Sequence, residues 1–104
     1  MKVIKAYKVE TFFDKLTGYL SIKTGYPILF STRYGIHTFG MKFAIDVLVL
    51  DNQKRIIKIK RSLPPWRLYF WNPRYSKILE APEGFIQKSG FQLGDTIRVV
   101  PVRG

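Results

Sequence analysis

The chain has no cysteine, which excludes disulfides, thiolate metal sites and cysteine nucleophiles. It has one histidine, His37, and no pair of ligands at diagnostic spacing, so no metal site and no cofactor are expected. Acidic residues are scarce, 7 against 18 Lys and Arg, and the formal net charge is +11. No apolar run approaches the roughly 20 residues of a membrane span, and the longest, Ala44 to Leu50, is interrupted by Asp46. The first residues, Met1 to Glu10, lack the apolar core of a signal peptide and read as a strand, so a cytoplasmic location is expected. No internal repeat, low-complexity tract or linker breaks the chain, and residues 1–104 are expected to form a single domain.

What is present is apolar and aromatic. A composition 46% hydrophobic and 15% aromatic can build a packed interior and argues against disorder. The positive charge predicts a basic field over much of the surface, attractive to nucleic acid or an acidic partner, or simply well solvated. The oligomeric state is not legible.

Short elements follow one another. Lys2 to Val9 alternates like a strand, and Thr11 to Ile22 has the spacing of a short amphipathic helix. Pro27–Ser31 and Val47–Leu50 are apolar strands; Asp51-Asn52-Gln53 is a turn, and Lys54–Lys60 returns as an edge strand guarded by lysines. Leu63–Tyr75 carries three prolines and reads as irregular. Ser76–Glu80 and Thr96–Val102 are strands, with one or two helical turns over Pro82–Gly90 between them. The expected fold is mainly β, on the border of α+β. It is a small antiparallel, partly closed β-barrel or sandwich with one or two short helices.

The stretch from Gly35 to Asp51 holds the only histidine, and two of the seven acids, beside an apolar strand. If the chain turns at Gly40, His37 and Asp46 could meet as an acid/base pair. The plainer reading has Asp46 accepting backbone N–H bonds at a strand end. Glu80 is a third catalytic candidate, paired with Asp46 in glycosidase fashion, although a structural role fits it better. None of the serines sits in a Gly-x-Ser-x-Gly elbow. Gly35 to Lys42 lacks the Gly-Lys-Ser/Thr tail of a phosphate loop and precedes a strand rather than a helix.

The second constellation is basic and aromatic: Lys54, Arg55, Lys58, Lys60 and Arg61 run into Trp66, Arg67, Tyr69, Phe70, Trp71, Arg74 and Tyr75. Cations beside rings are what single-stranded nucleic-acid sites use. The same rings could instead cover one end of the fold, or anchor a protein partner.

Three segments resemble the family called domain of unknown function 192, or uncharacterised protein family 0127. Gly35-Ile-His-Thr-Phe-Gly-Met-Lys-Phe-Ala-Ile-Asp46, continuing to Asp51, is similar to its central signature, with Phe-Gly-Met where other members have Phe-Trp-Met. Leu79-Glu-Ala-Pro-Glu-Gly84 resembles its Leu-Glu-x-Pro-x-Gly, and Gly90 with Gly94-Asp95 its closing Gly-x-x-x-Gly-Asp. Pro64-Pro65-Trp66-Arg67 matches a feature of some members. The family's Arg-x-x-Gly-Leu-Met-like element has little counterpart here beyond Gly18, and Ala44 stands where proline is common. The resemblance implies a small, mainly β, barrel-like fold and no particular activity.

Expectation therefore settles on a binding module rather than an enzyme. Its ligand, anionic or aromatic, with single-stranded nucleic acid as one such ligand, would lie between the His37–Met41 turn and the Trp66–Tyr75 loop. The residues proposed to touch it are His37, Met41, Trp66, Arg67, Trp71 and Arg74. The alternatives are a small enzyme using His37 and Asp46, and a protein–protein accessory factor.

Overall fold

The computed structural model describes residues 2–9, 23–33 and 35–102. The helix expected over Thr11–Ile22 lies outside them. The chain is mainly β. In order, it forms β1 (Lys2–Lys8), β2 (Ile28–Ser31), β3 (Ile36–His37), β4 (Ile45–Leu50), β5 (Ile56–Leu63), β6 (Leu68–Tyr69), β7 (Lys77–Pro82), a helix α1 (Phe85–Ser89) and β8 (Ile97–Pro101). Six strands make one sheet in the order β5-β4-β7-β2-β1-β8, and β3 pairs with β6 as a separate ribbon.

The expected hairpin is β4–β5, whose antiparallel register begins beyond the turn at Leu50↔Ile56. Asp51 builds that turn by accepting the backbone N–H groups of Gln53 and Arg55, both at 2.9 Å, and by pairing with the Arg55 guanidinium. β7 pairs antiparallel with both β4 and β2. Around β1 the pairing is parallel, to β2 and to β8, so the sheet is mixed. Parallel neighbours need long connections, and β1 is joined to β2 only through residues 9–27.

The sheet does not close into a barrel. Its edge strands β5 and β8 touch at one isolated bridge, Arg55↔Thr96. There the Ile56 N–H donates to the Asp95 carbonyl at 2.8 Å and the Ile97 N–H to the Lys54 carbonyl at 2.9 Å. Beyond Ile56 the seam opens: among the described residues, β5 pairs with β4 only.

Both faces of the sheet are covered. One cluster gathers Leu48, Leu50 and Leu79 with Ile86 of α1, Phe91 and Ile97. The other gathers Val47, Val49, Ile28, Phe30 and Ile78 with Ile36, Met41 and Trp71. All six residues of β4 are buried, which explains its near-continuous apolar sequence: a strand covered on both faces has no polar side. Among the described residues, no helix is long and apolar enough to cross a membrane.

Candidate functional site

The Gly35–Asp51 stretch divides into two unlike ends. At the strand end, Asp46 is 1% exposed. Between Ile45 and Val47 the β4–β5 register slips, so that Arg61 and Ser62 stand opposite Asp46 alone. Ser62 adopts φ 55 to make this bulge, and its N–H donates to Asp46 Oδ1 at 2.9 Å. Oδ2 accepts from the N–H groups of Gly84 at 3.1 Å and Ile86 at 3.0 Å. Those donors open α1, whose N-cap, Gly84, has no side chain to cap with. One carboxylate thus pins a bulge and caps a helix on a different part of the chain. His37 is not among its partners.

Glu80 is also buried, at 2% exposure, but on the other face. In the β4–β7 ladder Glu80 stands opposite Val47 and Asp46 opposite Ala81. Cross-strand partners share a face and adjacent residues alternate, so the two carboxylates point to opposite sides of the sheet. The geometry therefore does not bring Asp46 and Glu80 together as a carboxylate pair, and the three hydrogen bonds to Asp46 all come from backbone N–H groups.

The turn end is different. Thr38, fully buried, is its centre. Its hydroxyl donates to the Pro64 carbonyl at 2.6 Å and accepts the Arg67 N–H at 2.9 Å. Its N–H donates to the Arg67 carbonyl at 2.9 Å, and its carbonyl accepts the N–H groups of Trp66 at 3.0 Å and Met41 at 3.2 Å. The Met41 bond closes a turn with Gly40 at φ 80, the left-handed position that favours glycine. The His37–Met41 turn and the Pro64–Arg67 loop are therefore bonded to each other. β3 and β6 extend the junction as a ribbon, His37 opposite Leu68 and Ile36 opposite Tyr69. Gly35 permits the approach, since a Cβ there would lie 2.6 Å from the Phe70 ring and 2.7 Å from the Tyr69 carbonyl oxygen.

On this frame sits a row of rings. His37 stacks on Phe39 with centroids 4.9 Å apart and planes 27° apart, and Phe39 stacks on Trp66 at 6.0 Å and 25°. The His37 Nδ1 accepts the Phe39 N–H at 3.3 Å, which orients the imidazole. Trp66 is 65% exposed and adopts φ 63, a left-handed conformation unusual for a bulky residue. Phe39, Phe43, Leu68 and Phe70 are exposed as well. Arg67 donates from Nη1 to the Trp66 carbonyl at 3.4 Å. Lys58 reaches the ribbon from β5, donating to the Phe70 carbonyl at 3.0 Å with its ammonium 4.9 Å from the Tyr69 ring centroid.

The six residues expected to touch a ligand separate accordingly. His37, Trp66 and Arg67 gather at the exposed row. Met41 and Trp71 are 8% and 7% exposed and pack in the core, the Trp71 indole donating to the Tyr75 carbonyl at 2.9 Å. Arg74 lies over the Tyr75 ring, 5.6 Å from its centroid. Thr38, Phe39 and Phe43 are not among the residues that the sequence singles out, and in the structure Thr38 is buried while Phe39 and Phe43 are exposed.

Tyr69 holds the one buried side-chain polar atom left without a hydrogen bond among the described residues, its hydroxyl. Burial pushes its pKa up from 10.0 to about 12. No cluster of three or more His, Cys, Asp or Glu that could hold a metal occurs among the described residues.

Residues 2–99 match the model of domain of unknown function 192, described as Uncharacterized ACR. A UPF0127 protein of Thermococcus sibiricus is 34% identical over 95 residues, 85% of this chain and 61% of that protein. A second, from Pyrococcus horikoshii, is 32% identical over 95 residues, 86% of this chain and 82% of that one. The chain therefore spans less than two thirds of the first relative and about four fifths of the second. A crystal structure of a protein of unknown function from Novosphingobium aromaticivorans superposes with a TM-score of 0.69 at 15% identity, over 88% of this chain and 71% of that one, a likeness of fold. The chain belongs to the domain of unknown function 192 family.

Proposed function

We propose that this chain is a non-enzymatic binding module whose ligand stacks on the His37–Phe39–Trp66 row. The single observation that carries the reading is Trp66. A large aromatic residue is held in solvent at φ 63, on a loop fixed through the buried Thr38. A left-handed non-glycine residue costs about 1–2 kcal/mol, and exposing an indole forfeits its burial. A fold tolerates both together where the exposed ring has work to do.

The chemistry of the row favours a flat aromatic ligand carrying negative charge. Each ring offers a π-face, Arg67 follows Trp66 directly and Lys58 reaches the adjoining ribbon, in a chain of net charge +11. Single-stranded nucleic acid combines stackable faces with phosphates and fits best. The Asp46 carboxylate is bonded to three backbone N–H groups, which supports an architectural role for it over the acid/base alternative.

A Trp71→Phe variant leaves Trp66 as the only tryptophan and makes the test direct. Addition of oligo(dT) at low salt should quench its emission, and the affinity should fall steeply as salt rises. An emission unchanged by oligonucleotide at low salt would count against this reading.

A further inference from the structure

The open seam of the sheet is a second feature, independent of the aromatic row. β5 is an edge strand, and among the described residues no strand lies on its outer side past Ile56. A groove of about 800 Å³ follows this edge from Ile57 to Arg61 and is walled opposite by Phe91, Gln92 and Leu93. It begins where the Arg55↔Thr96 bridge ends, so pairing with β5 has already started at its mouth. Leu93 stands 64% exposed on the far wall.

We propose that this edge takes an extended acidic peptide as an added strand. The edge supplies main-chain donors and acceptors to any extended chain, the general basis of strand addition. Charge then selects the occupant. Among the described residues, Lys60 and Arg61 line the groove together with Lys58, whose ammonium is held at the Phe70 carbonyl, and no acidic residue lines it. Lys60 and Arg61 have no ion-pair partner among the described residues. A second copy of β5 would set these cations against their own kind, which disfavours self-pairing. A strand alternating carboxylates with small apolar side chains meets cations from one set of positions and can lay the other set against Leu93 and the half-buried Ile59.

The probe is a short fluorescent peptide of alternating Glu and Val, followed by anisotropy. It should bind the wild-type chain, and its counterpart with alternate backbone nitrogens methylated should bind about tenfold more weakly, since methylation removes the edge hydrogen bonds. The double variant Lys60→Glu, Arg61→Glu alters exposed side chains only and should also bind about tenfold more weakly. It should gain affinity for the same peptide made with Lys in place of Glu. Trp66→Ala should leave peptide binding unchanged, which separates this site from the aromatic row. No binding, or equal binding of the methylated peptide, overturns strand addition. Loss of binding in Trp66→Ala overturns the placement at β5.

Discussion

Asp46 and Trp66 lie at the two ends of one junction and satisfy opposite demands. Asp46 is a charged group in the interior, made tolerable by three backbone donors that would otherwise go unpaired. Trp66 is an apolar group on the outside, in a backbone conformation its side chain disfavours. The first breaks the pattern of a buried strand to hold the structure together. The second departs from local preference for a small structural return, its stack on Phe39. On the proposed reading, the strained exposed Trp66 marks the site and the buried Asp46 the scaffold.

The contrast breaks most visibly at Asp46. Asp46→Ala strands the N–H groups of Ser62, Gly84 and Ile86 and should destabilise the fold by about 3–5 kcal/mol in urea unfolding. Asp46→Asn, which keeps one acceptor, should lose roughly half as much. A near-neutral Asp46→Ala would remove the architectural assignment and reopen a chemical one.

Thr38 is the next largest effect. Thr38→Val keeps the shape and deletes the hydroxyl shared by Pro64 and Arg67, costing about 2 kcal/mol, whereas Thr38→Ser should stay close to wild type. Urea midpoints measure the stability, and proton exchange at the Arg67 amide should quicken in Thr38→Val alone.

At Trp66 the expected change in stability is small. Trp66→Asn relieves the left-handed strain, which asparagine tolerates, but loses the contact with Phe39. The two should offset to within about 1 kcal/mol. Tyr69→Phe is the smallest at neutral pH, a gain of up to about 1 kcal/mol from removing an unpaired hydroxyl. Its sign grows with alkali. The Tyr69 pKa is raised from 10.0 to about 12 in the folded chain, so the protein keeps its full stability below pH 10 and loses some as pH rises through about 12. Tyr69→Phe should blunt that alkaline loss, as read from unfolding midpoints across the same window.

The legible parts of this fold were those written in local patterns. The β4–β5 hairpin follows from an apolar run, an Asp-Asn-Gln turn and a lysine-rich return. Pro82 and Gly90 bracket α1, whose last residue is Ser89. The interior place of β1, with parallel neighbours at both sides, depends on segments distant in sequence and left no local mark. The β3–β6 ribbon is two residues on each strand, too short for periodicity to register. The candidate site was half legible for the same reason. Composition pointed to Trp66 and Arg67, but only the folded backbone separates the exposed Trp66 from the buried Trp71, five residues later in the same loop.

The central claim is that the exposed row binds and the Asp46 end builds. Its most direct test is the anisotropy of a labelled oligo(dT) titrated at low salt with wild-type and Trp66→Ala chains, alongside their urea midpoints. One lost base stack is worth about 1–3 kcal/mol, so affinity should fall between about fivefold and a hundredfold while stability stays within about 1 kcal/mol. Equal affinities at equal stability would contradict the account.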